Sequence, residues 1–228
     1  MGGQKAICFW PIRYSAAQNQ LYEPSGRLAG TYAKEHLVPF GEYVPFRSLL
    51  DWTGVVDRIP YDYSPGKKRT IFRVKGHRLA SVICFESAFA PLVRDFVQRG
   101  AEVVVVSTNN RSYRRSANAA QHVAQTQMRG AETGRPFLQA SISGISAVIN
   151  SDGDVSNTTK LFHRTVVSDT ITTTTGQTPF VRFGEWVVAV SALLLLGAAV
   201  VSRVRRPRAT FPRLAAEERE PVGSGRVT

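Results

Sequence analysis

Cysteine is scarce in this sequence: 228 residues carry only Cys8 and Cys84. Two thiols exclude a disulfide framework and a cysteine-rich zinc site, and leave room for one bridge at most. Acidic residues are in short supply too, with 17 Asp and Glu against 29 Lys and Arg and a formal net charge of +12. An excess of that size suits nucleic acid, an anionic membrane surface or acidic substrates. No zinc-finger spacing, RNP-like aromatic motif or Lys/Arg-rich helix accompanies it, which argues against nucleic acid. There is no internal repeat, and Met1–Ile7 lacks the apolar core of a signal peptide. At 43% hydrophobic and 20% charged, the chain reads as globular and is long enough to bury a substantial core.

Long apolar runs are also rare, with one exception. Trp186 to Val201 reads WVVAVSALLLLGAAVV, without a charge. As a helix it spans about 24 Å, slightly short of a hydrocarbon core of about 30 Å. Phe183 and the stem of Arg203 extend it, and Trp186 sits at its edge as an interfacial anchor. The sequence therefore predicts a transmembrane helix over 184–202. Arg203, Arg205, Arg206 and Arg208 follow it, whereas Arg182 and Glu185 before it cancel. Positive charge stays on the cytoplasmic side, so residues 203–228 are expected to form a basic, disordered cytoplasmic tail. Residues 1–180 are expected to form an extracytoplasmic domain.

Within that domain, RYSAAQNQLYEPSGRLAGTY (13–32) reads as a hairpin about the turn Pro24-Ser25-Gly26. KEHLVPFGEYVPF (34–46) contains Pro39, Pro45 and Gly41, which exclude a regular helix and predict an ordered loop. Residues 47–70 look irregular. Arg78–Phe85 reads as a strand, and Ala88–Gln98 as a helix with an apolar stripe ended by Gly100. Glu102–Ser107 (EVVVVS) suits a strand buried on both faces. Ser116–Glu132 reads as a second helix, Phe137–Ser143 and Ile145–Asn150 as strands, and Ser151–Asp154 as a hairpin turn. The Thr-rich stretch 164–175 reads as a last strand. Two strand–helix units followed by hairpins indicate an α/β architecture.

Cys84 stands where a buried strand gives way to a helix. A helix N-terminus favours a thiolate, and a strand-to-helix turn projects its side chain from the sheet edge, as nucleophile elbows do. The amide of Phe85 would lie near an oxyanion there. Cys8 has no such placement and reads as structural. Lys34, Glu42 and Glu86 taken singly read as surface charges, or for Glu86 as a complement to the helix dipole.

Together these residues carry a resemblance. YAKEHLVPFGEYVPF (32–46) closely resembles the signature of apolipoprotein N-acyltransferases in the nitrilase, or carbon–nitrogen hydrolase, superfamily. SVICFES (81–87) resembles that family's nucleophile strand. VVVVSTNN (103–110) looks like the strand and loop that follow, and QHVAQTQMRGAETGRPFLQASISGISAVINSDG (121–153) resembles its helix-and-hairpin stretch. The likeness runs over roughly residues 13–208. It implies part of a nitrilase-like αββα sandwich followed by one C-terminal transmembrane helix, in a bacterial cytoplasmic membrane. It implies Cys84 as nucleophile and Lys34 as triad lysine, with Glu42 and Glu86 matching further important carboxylates. Phe85, Asn109 and Asn110 would serve the oxyanion or substrate. No cofactor and no metal is implied. The implied partners are a phospholipid acyl donor, a diacylated apolipoprotein acceptor and the membrane. Acyl transfer would run through a Cys84 thioester to the acceptor's α-amino group.

The sequence departs from the family at two places. The family's general-base glutamate follows a Trp-Pro pair upstream of the lysine, whereas here Ile12 follows Trp10-Pro11, close to Lys34. Glu23, in a hairpin turn, does not fit the role. Together with the lack of preceding membrane helices, this predicts the C-terminal portion of a longer protein. After the third strand the family's Asn-Asp-Ala-Trp-Phe-Gly is replaced by Asn109-Asn110-Arg111-Ser112-Tyr113-Arg114-Arg115. That loop is expected to face lipid or substrate, its arginines favouring anionic head groups. Two other functions compete: a superfamily amidase or hydrolase, and a membrane-bound relative inactive for want of the glutamate.

Overall fold

The computed structural model describes residues 6–8, 16–50, 52, 54, 56, 59 and 61–204. Trp10, Pro11 and Ile12 lie outside the described residues, as does the tail from 205 onward. The chain divides into two units, Met1–Glu185 and Trp186–Thr228.

The first unit holds two sheets. Strands β1 (Ala6–Cys8), β2 (Gln18–Tyr22) and β3 (Leu28–Ala33) form an antiparallel three-stranded sheet. The β2–β3 turn closes where the sequence places it. Gly26 adopts φ +80°, and Arg27 pairs with Glu23 across the turn. After β3 come the ordered loop of residues 34–46 and a single helical turn, α1 (Arg47–Leu50).

The second sheet has six strands in sequential order: β4 (Ile71–Val74), β5 (His77–Ile83), β6 (Val103–Thr108), β7 (Phe137–Ser141), β8 (Ala147–Ile149) and β9 (Val155–Thr158). Its centre, β5–β6–β7, is parallel. Helix α2 (Ala90–Gln98) connects β5 to β6, and α3 (Asn118–Thr133) connects β6 to β7. Parallel neighbours need such crossovers, because no tight turn can return the chain in the same direction. All six residues of β6 are buried, as a β-branched central strand requires. Gly134, at φ +62°, ends α3 in the left-handed conformation that glycine adopts without steric cost.

The two faces of this sheet have different neighbours. Ala80, Val82, Val104, Val106 and Phe137 join Leu92, Val93 and Phe96 of α2 and Val123 of α3 in the main core. Side chains alternate along a strand, so Ser81 and Ser107 point the other way. There both hydroxyls accept from Asn19 Nδ2 of β2, at 2.5 and 3.0 Å. Helices, large sheet and small sheet thus stack as α, β and β layers, in agreement with the expected nitrilase-like α/β fold.

Some boundaries differ from the sequence reading. β4 and β9 were not foreseen, and the strand expected over 164–175 does not form. No residue between 164 and 175 is buried, so its Thr/Val alternation has no face to hide. β9 already occupies the edge beside β8. The stretch is held by side chains instead: Ser156 Oγ donates to Asp169, and Arg135 donates to Thr174 and to the Gly176 carbonyl. A short helix, α4 (Pro179–Phe183), closes the unit, capped by the Thr178 hydroxyl.

The second unit is helix α5 (Trp186–Val204). An 18-residue window of mean hydropathy 2.0 makes it the one described helix long and apolar enough to cross a membrane, and no part of that window is buried.

Candidate active site

β5 ends at Ile83 in extended geometry, and the backbone then reverses at Cys84 with φ +53°. Left-handed geometry at a residue with a Cβ is uncommon and costs about 1–2 kcal/mol. Strain of this kind, at a cysteine leaving a sheet edge, is what a nucleophile elbow requires. The expectation that a helix begins here needs correction. Residues Cys84–Ala88 form a 3-10 turn, and α2 starts at Ala90. Pro91 explains the delay, since a proline belongs in the first helical turn and sets the start just before itself. The free N–H groups of α2 therefore do not surround Cys84.

Glu86 braces the elbow. It is fully buried and accepts four hydrogen bonds: from Tyr32 Oη at 2.9 Å, Glu35 N at 2.6 Å, His36 N at 3.1 Å and Ile83 N at 2.8 Å. Burial pushes its carboxyl up from the usual range, against the pull of these donors. Burial, followed by the Glu86 charge, also raises the Tyr32 phenol, which keeps it a donor. One carboxylate thus holds the backbone beside Cys84 and the backbone beside Lys34.

Lys34 is 1% exposed. A buried ammonium requires a partner, and Nζ donates to both oxygens of Glu42 at 2.7 and 2.8 Å. Glu42 Oε2 also accepts from Val38 N at 2.8 Å, within the same loop. The ordered loop expected between two prolines therefore exists, and its carboxylate returns to the lysine that opens it. Phe40 takes φ +57° inside it.

The other candidates lie around this centre. Phe85 is 37% exposed and meets Phe89 edge-on at 5.1 Å, and Phe89 stacks on His36 at 4.1 Å. Phe85 also lines an open cleft of about 190 Å³ with Tyr113, Asn118, Gln121, His122 and Gln125. The Tyr113 phenol is raised, first by burial and then by the Cys84 charge. Asn109 is exposed and accepts from Arg111 N and Ser143 Oγ. Asn110 is buried, accepts from Thr108 Oγ1 at 2.7 Å, and leaves its Nδ2 without a partner.

Sequence reasoning missed His122. It is buried on α3, with Nε2 3.1 Å from the Cys84 carbonyl and 3.0 Å from Ser87 Oγ. A carbonyl only accepts, so Nε2 carries the proton. Nδ1 lies 3.3 Å from Asn110 Oδ1 and 3.5 Å from Thr108 Oγ1. With a neutral ring the Asn110 amide satisfies this contact better when turned to present its otherwise unpaired Nδ2. The signal was present in the sequence, because His122 is a polar residue on a helical stripe that continues through Thr126, Arg129 and Thr133.

The position of His122 predicts a pH effect. Burial, reinforced by the Lys34 charge and opposed by the Cys84 carbonyl, holds its imidazole below the ordinary 6.5. A histidine with a lower pKa folded than unfolded takes up its proton more readily in the unfolded chain. Its contribution to stability is thus complete above pH 6.5 and declines as pH falls below it. Thermal unfolding from about pH 7.5 to about pH 5.5 should show a steeper loss for the native protein than for His122→Gln. Parallel curves would mean that His122 does not link protonation to unfolding.

Residues 16–180 match the carbon–nitrogen hydrolase family. Similar curated proteins include the apolipoprotein N-acyltransferase of Haemophilus ducreyi, 37% identical over 160 residues, covering 69% of this chain and 32% of that one. The apolipoprotein N-acyltransferase of Thermotoga maritima is 32% identical over 184 residues, covering 80% and 36%. The chain spans about a third of the length of the curated relatives it matches. Among solved structures, a mutant of the Nesterenkonia AN1 amidase from the nitrilase superfamily superposes with TM-score 0.50 at 17% identity, covering 68% of this chain and 56% of that one. Glutamine-dependent NAD+ synthetase from Acinetobacter baumannii gives 0.54 at 14%, covering 71% and 29%. Identities this low establish a shared fold and nothing finer.

Proposed function

This chain belongs to the carbon–nitrogen hydrolase family, and on that premise we propose that it carries the catalytic centre of an apolipoprotein N-acyltransferase, with Cys84 as nucleophile. The observation that carries the reading is Glu86, which ties the residue before Cys84 and the residue after Lys34 to one buried carboxyl. A nucleophile and a cation fixed in this way suit acyl transfer, where negative charge develops on a carbonyl oxygen.

In the proposed reaction the Cys84 sulfur attacks the ester carbonyl of a phospholipid. The C–S bond forms, the ester C–O bond breaks, and the thiol proton leaves on the lysophospholipid hydroxyl. Lys34, paired with Glu42, and the Phe85 amide stabilise the tetrahedral oxyanion. The α-amino group of a diacylglyceryl-cysteine lipoprotein then attacks the thioester. The C–N bond forms, the C–S bond breaks, and an amine proton returns to sulfur. Glu86 acts as a positioning residue and His122 steadies the elbow. Asn110 orients His122, and Asn109 lies on the substrate side.

In this reading residues 1–180 form the extracytoplasmic catalytic domain, α5 crosses the cytoplasmic membrane of a bacterium, and the basic tail lies in the cytoplasm. Positive charge beginning with Arg203 in the last turn of α5 supports that orientation. Both proposed substrates are lipids, which supports a membrane anchor.

The test is intact-mass spectrometry of the full chain in phospholipid vesicles. The expected result is an acyl adduct on Cys84 that disappears when a diacylglyceryl-cysteine peptide is added, with ping-pong kinetics. Release of ammonia from simple amides without any lipid adduct would instead identify an amidase. Absence of both would leave a protein that keeps the fold without the chemistry.

A further inference from the structure

We propose that the turn Arg111–Arg115 and the segment Lys160–Arg164 form a binding site for the phosphate of an anionic phospholipid head group at the mouth of the cleft. The inference rests on the acyl-donor reading above and narrows the donor from phospholipids in general to those with net negative charge.

Both segments lie in stretches without acidic residues. No Asp or Glu occurs from Val103 to Ala131, nor from Val155 to Ser168. Between them the two segments carry Arg111, Arg114, Arg115, Lys160 and Arg164, all exposed. None of the five forms an ion pair with a described carboxylate, although arginines elsewhere, such as Arg27, Arg69 and Arg99, do. Fold geometry then joins the segments, because the Arg115 guanidinium lies over the Phe162 ring at 6.0 Å. The turn itself is fixed: residues 111–113 form a 3-10 turn and Arg114 adopts φ +50°. Its Tyr113 lines the cleft beside Phe85, the residue after Cys84, and beside His122, whose ring lies 3.1 Å from the Cys84 carbonyl. A cation cluster without internal counter-ions is therefore built onto the wall that leads to the nucleophile. Guanidinium groups match phosphate oxygens with paired donors. An acyl ester sits a few bonds from the phosphate of its own glycerolipid. A head group held by the arginines would thus leave its acyl ester beside the cleft. A zwitterionic head group carries its own cation into the same field and gains less.

Binding of six-carbon phosphatidylglycerol and phosphatidylcholine to the detergent-solubilised full chain tests this without requiring turnover. Phosphatidylglycerol should bind about tenfold more tightly, and added salt should weaken that preference. The combined variant Arg111→Gln, Arg114→Gln, Arg115→Gln should bring the two lipids to near equality, with an unchanged circular dichroism spectrum showing that it folds. Equal binding by the native chain, or a preference that survives in the variant, would overturn the proposal. So would inorganic phosphate competing as effectively as the lipid, since the site would then read free anion. A preserved preference without any acylation of Cys84 would sink the acyltransferase reading and leave this site standing.

Discussion

Cys84→Ser should abolish the acyl adduct and lower acyl transfer by at least about a thousandfold, with little change in folding. A hydroxyl at this position keeps the size of the side chain and the same left-handed backbone at φ +53°. It fails chemically, because an alcohol near neutral pH is almost wholly protonated, whereas a thiol supplies a useful fraction of the nucleophilic anion. Among the described residues, neither α2 nor His122 compensates. α2 starts six residues later, so its dipole does not assist an alkoxide. His122 turns its protonated nitrogen toward the Cys84 carbonyl and is not placed as a base. Single-turnover mass spectrometry with a phospholipid donor provides the measurement, and thermal unfolding provides the control. A serine variant that transfers acyl chains within tenfold of the native rate would show that position 84 is not the nucleophile.

The second large effect concerns stability. Glu86→Ala should destabilise the protein by about 3–5 kcal/mol, because it leaves the buried Tyr32 hydroxyl and three part-buried backbone N–H groups facing a void. Two opposing contributions set that figure. Each orphaned donor costs about 1–3 kcal/mol, while removal of a buried carboxylate recovers part of its desolvation. The donors prevail because there are four of them around one acceptor group. Glu86→Gln should fall between native and alanine. It restores one acceptor oxygen but presents an NH2 group to a donor on the other side. Urea unfolding of the detergent-solubilised chain, followed by circular dichroism, measures both. An alanine variant within about 1 kcal/mol of native would mean that the Lys34 loop and the Cys84 elbow hold together without this carboxylate.

Much of the site was legible because short, specific runs of residues carry it. The run from Lys34 to Glu42 closes on itself through a direct Lys34–Glu42 pair, and its proline and glycine positions alone mark it as a loop. β6 announces itself by its β-branched run and α2 by its apolar stripe, and with β5 and α3 they set the parallel order of the central strands. What could not be read depends on contacts between distant residues. Glu86 resembles a surface carboxylate beside a helix start, and three of its four donors come from β3 and the 35–36 backbone packing over it. His122 lies 38 residues from the carbonyl it touches. β9 is fully exposed, so it has no apolar pattern to detect, and it exists because β8 offers an edge. The reverse holds for 164–175, which has strand-like composition but buries none of its residues.

The left-handed backbone at Cys84 has an evolutionary reading. Glycine would relax that geometry at no steric cost, so the residue proposed as nucleophile is one the fold by itself would not select. Lineages that lose the need for the chemistry are free to exchange sulfur for a hydrogen atom and become sturdier. Cysteine in this left-handed position therefore carries a cost to the fold that reactivity, and not packing, would offset.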